Sequence, residues 1–161
     1  MYYVSVILLM LLFPLGSIAA ETSYYHSQLP LMILIGKWFV FWAAGVRLFI
    51  AGLRQIIQPR FTAGHIFGIK GDDALPLVRE LGLANVATGL VGILSLIEPQ
   101  FALPVAIAAT IFYGGAGIGH VAKPHRNGLE NTAMISDLAA SAVFAAFVAY
   151  EVNERWPLFA S

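Results

Sequence analysis

Ionisable and amide side chains are scarce in this sequence, and several of those that interrupt its apolar stretches fall in helical register. Arg47 and Arg54 are seven residues apart and so share one helical face. Glu80 is followed five residues later by Asn85, Tyr113, Gly117 and His120 form one stripe, and Glu130, Asp137 and Ser141 form another. A charged group placed inside a bilayer costs on the order of 2.5–3.5 kcal/mol, so such groups turn toward a protein interior and find partners there. Two arginines and two carboxylates can neutralise each other as interhelical ion pairs, with Asn85 and His120 adding hydrogen bonds. The same residues also suit three other tasks. Arg47 and Arg54 can hold a small anion or a lipid head group. Glu80, His120 and Asp137 can carry protons. With His65 they make an imidazole and carboxylate set, His65, Glu80, His120 and Asp137, of the kind that binds zinc or iron. The chain has no Cys, so disulfides, thiolate nucleophiles and Cys-ligated metal centres are excluded.

The elements that must position these groups follow from composition. The 161 residues are 59% hydrophobic and 11% charged, with a mean hydropathy of +0.79. A soluble domain is roughly half apolar and about a quarter charged. One domain embedded in a membrane is the reading. Nine Lys and Arg balance nine Asp and Glu, which leaves no basic footprint and no nucleic-acid partner. Runs of about 20 apolar residues, the length of a bilayer span, cover residues 2–20, 31–57, 77–97, 101–122 and 129–150. The expected fold is all-α, an integral membrane bundle of five transmembrane helices. It becomes four if the first run, which ends in a small-residue stretch at Ser17-Ile-Ala-Ala20, is a cleaved signal. That run has no Lys or Arg ahead of it, which favours a retained helix. Pro14 should kink it. The short connections after the third and fourth runs make the last three helices antiparallel neighbours, and Asn127 with Glu130 has the spacing of a capping box.

Basic residues gather between the second and third runs (Arg60, Lys70) and between the fourth and fifth (Lys123, Arg126), so these loops should be cytoplasmic, with the N-terminus inside and the C-terminus outside. Tyr24, Tyr25, Trp38, Trp42 and Trp156 sit where an interfacial aromatic belt would place them. Antiparallel threading then brings Arg47, Arg54, Glu80, Asn85, His120 and Asp137 to one half of the membrane. Helices in lipid associate through small residues. The tight core is therefore expected among the third run (Gly82, Ala84, Ala87, Gly89, Gly92), the fourth (Gly115-x-x-x-Gly119) and the fifth (Ala139, Ala142, Ala146), with the Gly115/Gly119 face used inside the chain and the first run peripheral. Gly117-x-Gly119-x-x-Ala122 has the letters of a dinucleotide fingerprint but neither the preceding strand nor the following acidic residue. Residues 59–73, with Phe61, Ile66, Phe67 and Ile69 among basic side chains, should be either a linker or an element lying on the cytoplasmic surface.

Glu80-Leu-Gly-Leu-Ala-Asn85 and Phe112-Tyr-Gly-Gly-Ala-Gly-Ile-Gly-His120, with Gly64-His65 upstream and Asn131 downstream, resemble a family of small uncharacterised bacterial membrane proteins that pair a Glu-x4-Asn helix with a Gly-rich helix ending in His. The chain is more distantly similar to the DoxX-like four-helix membrane proteins. The resemblance implies a bacterial inner-membrane protein and singles out Glu80, Asn85 and His120, without implying a reaction. The leading expectation is an accessory or assembly subunit, surrounded by the lipid bilayer and partnered by a second copy or a larger membrane complex. Binding or transport of a small molecule, a lipid head group or an ion is the first alternative, and a metal-dependent membrane enzyme the second.

Overall fold

The computed structural model describes residues 2–155, and these are helical without a strand. Five helices are long and apolar enough to cross a membrane: α1 (Tyr3–Ser23), α2 (Leu31–Ile57), α3 (Leu75–Leu94), α4 (Pro99–Val121) and α5 (Gly128–Arg155). The third begins two residues earlier than its hydropathy suggests and the fifth runs five residues further. Pro76 is tolerated in the first turn of α3, where its missing N–H has no partner to lose. At the far end of α3, Ser95 donates to the Gly92 carbonyl at 2.7 Å, and Ile97 falls in the following turn, largely exposed. The capping box that opens α5 is formed: Asn127 Oδ1 accepts from the Glu130 amide at 2.9 Å and Glu130 Oε2 from the Asn127 amide at 2.8 Å. Lys123 pairs with the same carboxylate. The end of α4 is closed by Arg126, whose Nη1 donates to the carbonyls of His120, Val121 and Lys123.

Two helix pairs are held by very close approach. In the first, α2 meets α3 through glycines: a methyl group placed on Gly89 would sit 2.4 Å from the Phe49 amide nitrogen, one on Gly52 2.5 Å from the Gly82 carbonyl, and one on Gly92 2.7 Å from Gly45 Cα. In the second, α4 meets α5, with Gly117 against Leu138 and Ser141 Oγ donating to the Thr110 carbonyl at 2.9 Å. Leu34, Val40, Ala43, Ala109, Tyr113 and Phe144 belong to a core shared by α2, α4 and α5. The expected core of α3, α4 and α5 is thereby corrected, because the glycines of α3 face α2. The Gly115/Gly119 face is also corrected: nothing lies within 4 Å of either position, and both are exposed. Ala139, Ala142 and Ala146 are exposed too, since α5 buries the stripe of Ala133, Asp137, Ala140, Phe144 and Phe147 instead.

Helix α1 is the least buried of the five, as expected of a peripheral span. A π-helical turn, Leu8–Leu12, precedes the buried Pro14, and a second, Val40–Val46, interrupts α2. Glu21 at the end of α1 accepts Lys37 Nζ at 2.8 and 2.9 Å and Trp38 Nε1 at 2.7 Å, and Ser17 accepts Trp42 Nε1 at 3.0 Å. Trp38 and Trp42 thus join α1 to α2 rather than serving only as interfacial anchors. Tyr24 and Tyr25 are exposed beyond α1, and Trp156 lies outside the described residues.

Gly89→Ala is expected to lower the thermal unfolding midpoint in detergent, at an overpacking cost of about 1–3 kcal/mol. Gly115→Ala, which meets open space, should leave it unchanged. Equal midpoints for the two variants would contradict the α2/α3 contact.

Candidate functional site

The even helices descend and the odd ones rise, so the C-terminal halves of α2 and α4 share one end of the bundle with the N-terminal halves of α1, α3 and α5. A cavity of about 270 Å³ lies there, and Arg47, Arg54, Asn85, Tyr113, His120 and Asp137 all line it. Its remaining wall is chiefly apolar, with Val6 and Leu9 from α1, Leu48 and Ile50 from α2, and Phe112 from α4.

Arg47 Nη2 donates to Asp137 Oδ1 at 2.9 Å, joining α2 to α5, and reaches Ser136 Oγ at 3.4 Å. Both members are largely buried, with side chains 14% and 10% exposed. The Arg47 guanidinium also lies 4.9 Å from the centroid of the Tyr113 ring, a cation–π contact. Tyr113 is held from both ends. Its hydroxyl donates to the Ala43 carbonyl at 2.6 Å, inside the π-helical turn of α2, and its ring lies nearly parallel to that of Phe144. Such a turn departs from the usual hydrogen-bond ladder and so offers carbonyl groups to side chains. Asn85, buried on α3, donates to Gln55 Oε1 on α2 at 2.8 Å.

Residues 59–66 close the end of the cavity. After α2 the chain turns at Gln58 and Pro59, makes a short turn of helix at Pro59–Phe61, and continues as a π-helical turn, Thr62–Ile66. Pro59, Thr62 and Ala63 are buried, and Ala63 clusters with Leu75 and Val78 of α3. For residues 59–67 this corrects the expectation of a plain linker or a segment lying flat, since Phe61, Thr62, Ile66 and Phe67 face the cavity, while residues 68–73 form an exposed loop. Arg54 sits 3.6 Å from the Phe61 ring centroid, and the His65 ring stacks on the same Phe61 ring at 4.9 Å. Asn127 donates to the His65 carbonyl at 3.3 Å, and Arg60 bonds Asp72 at 2.6 and 3.1 Å in the exposed loop. That contact raises the Arg60 pKa above its usual value.

Three of the expected residues lie elsewhere. Glu80 is exposed on α3, pointing away from the cavity, because α3 turns its glycine and Asn85 face toward α2. His65 is exposed outside the wall, and Asn131 accepts Arg126 Nε at 2.9 Å as a brace of the α4–α5 loop. Of the four candidate metal ligands only His120 and Asp137 reach the cavity, and among the described residues no group of three His, Asp or Glu is placed to hold a metal ion. Sequence reasoning missed Gln55, Ser136 and the aromatic cap. The signal for Gln55 was available, since a buried Asn85 needs a hydrogen-bonding partner at its own depth.

A family described as "Family of unknown function (DUF6790)" matches residues 1–155. The chain belongs to the DUF6790 family. No curated protein matches it, and no solved structure does. For this DUF6790 protein the wall charges decide what the cavity can hold. Arg47 and Asp137 cancel, Glu130 is paired with Lys123 away from the wall, and Arg54 is left as the formal charge without a carboxylate among the lining residues.

Asp137→Ala should cost about 3–5 kcal/mol of stability, because it leaves the Arg47 charge buried without its counter-ion. The doubly apolar variant Arg47→Met/Asp137→Leu should recover most of that loss, and Glu80→Gln should be neutral. Thermal unfolding of the four proteins in one detergent reads this. A double variant no better than Asp137→Ala would contradict a mutually neutralising pair.

Proposed function

We propose that this protein binds a small amphiphilic anion in the cavity at the Arg54 end of the bundle. The observation that supports this reading is the make-up of one wall: apolar side chains over most of its area, a self-neutralised Arg47–Asp137 pair, and Arg54 as the surplus cation. An apolar group would rest against Leu9, Leu48 and Phe112, and an anionic group would meet Arg54, with His120 and the Asn85/Gln55 amides available for hydrogen bonds. Small-molecule sites in helical bundles are of this kind, mostly apolar with a few convergent polar groups. The volume is at the low end for such sites, which favours a compact ligand.

Membership of an assembly belongs to the same proposal as a second reading, because the Gly115/Gly119 face of α4 lies open along with Ile111 and Ile118 and would admit a helix of a second copy or of a larger membrane complex. So does placement in a bacterial inner membrane with the N-terminus and the Arg54 end on the cytoplasmic side, which follows from the positions of Arg60, Lys70, Lys123 and Arg126. The distant DoxX-like resemblance would correspond to the four more buried helices, with α1 added at their side.

Octanoate and octyl phosphate, titrated calorimetrically into the purified protein, should bind, and octanol and octylammonium should bind much more weakly. Arg54→Gln should weaken octanoate by about tenfold or more, the loss of one charge-assisted contact. Equal affinity for anion, alcohol and ammonium would overturn the reading.

A further inference from the structure

Ser5, Ile50 and Arg54 line not only the cavity but also a more open crevice of about 670 Å³ between α1 and α2, whose other walls are Val4, Leu8, Ile57 and Gln58. The two spaces adjoin along these three residues, with Arg54, the surplus cation, at their common border. The crevice walls include Val4, Ile50 and Ile57, which are 58%, 52% and 73% exposed. In a chain that spans a bilayer these side chains face lipid, Ile50 within the span and Val4 and Ile57 near its end. Such an opening repels a bare ion and admits an amphiphile.

Helix α1 is built unevenly around this opening. Its C-terminal half is fastened to α2 by Glu21 with Lys37 and Trp38, by Ser17 with Trp42, and by the Phe13 and Trp42 rings 4.8 Å apart. The π-helical turn Leu8–Leu12 and Pro14 separate that half from the N-terminal turns. The crevice runs along the N-terminal turns on the α2 side. An apolar groove lined by Ile7, Leu11, Phe39 and Ile135 borders α1 on the α5 side. Val6 and Leu9 pack inward from these turns, open space borders them on two sides, and helix irregularities of this type are where bending concentrates.

We infer that the crevice is a lateral portal through which a single-chain anionic amphiphile passes from the bilayer into the cavity, led by its charged group to Arg54. This rests on the anion-binding reading above and adds the class of ligand and its route. The chemistry required is one apolar chain ending in one anion, with the compact cavity taking the anionic end and the crevice the rest of the chain, which a fatty carboxylate and a lysophospholipid phosphate both supply.

A portal controls rate rather than equilibrium, so the test is a time course. Nanodiscs holding the full-length protein receive diazirine-tagged palmitate or diazirine-tagged lysophosphatidate from donor vesicles. Flash photolysis at increasing delays is followed by peptide mapping. Labelling is expected first on the crevice residues around Val4, Leu8 and Ile57 and later on the cavity residues around Phe112. Leu8→Trp and Ile57→Trp, which fill the crevice without touching the cavity wall, should each slow cavity labelling by roughly tenfold or more, with octanoate affinity in detergent unchanged. Ile57, being largely exposed, accepts the larger side chain even if Leu8→Trp fails to fold. Whichever probe labels the cavity identifies the head group. Unchanged rates in Ile57→Trp, or labelling spread evenly over the exposed faces of α3 and α4 as from surrounding lipid, would overturn the portal while leaving the cavity reading intact. Absence of octanoate binding in the unaltered protein would instead overturn the reading on which the portal rests.

Discussion

The ion pair between Arg47 and Asp137 is the constraint from which the rest of the polar architecture follows. Neither group can be placed in a bilayer alone without a penalty of several kcal/mol, and each is too far from a helix end to reach water along its own stem. Their mutual requirement fixes the rotation of α2 against α5. It also brings the Arg47 guanidinium over the Tyr113 ring, and through the Tyr113 hydroxyl it engages α4 and the π-helical turn of α2. One pair therefore sets the relative orientation of three helices. Because it consumes one arginine and the carboxylate on the cavity wall, it also leaves Arg54 electrostatically distinct.

Close packing then decides where space remains. Glycine against glycine brings α2 and α3 almost into backbone contact, and Gly117 seats the Leu138 side chain where α4 meets α5. Each pair is rigid because small residues leave little room for adjustment. The cavity lies where the two pairs diverge, covered by α1 at the side and by residues 59–66 at the end. Each cover contains a π-helical turn, Leu8–Leu12 and Thr62–Ile66, and the proposed entry of a ligand would draw on motion there.

Much of this was legible in the residues. Hydropathy located all five spans, since a run of about 20 apolar residues has few alternatives in this composition. The Asn127/Glu130 box was readable because its chemistry is local. The depth of Arg47 and Asp137 was readable because threading direction and position within a span determine depth. Rotation about each helix axis was not. Glu80 and Asn85 are five residues apart, which puts them on different faces of α3, and only the approach of Gly82 and Gly89 to α2 shows that Asn85 points inward and Glu80 outward. The Gly115/Gly119 stripe failed for the same reason: a small-residue motif marks a face that can approach a helix, not the helix that approaches it. The aromatic cap at Phe61 and Phe67 depends on a turn at Gln58 and Pro59 and on π-helical geometry, neither of which has a periodic signature in the sequence.

The most direct test is a solid-state NMR nitrogen–carbon recoupling measurement between the Arg47 guanidinium and the Asp137 carboxylate in lipid bilayers. A strong cross-peak, corresponding to the 2.9 Å contact, together with a carboxylate carbon shift of the ionised form, is the expected result. No cross-peak, with the Asp137 carbon at the shift of a neutral acid, would contradict it and remove the basis for treating Arg54 as the surplus charge of the cavity.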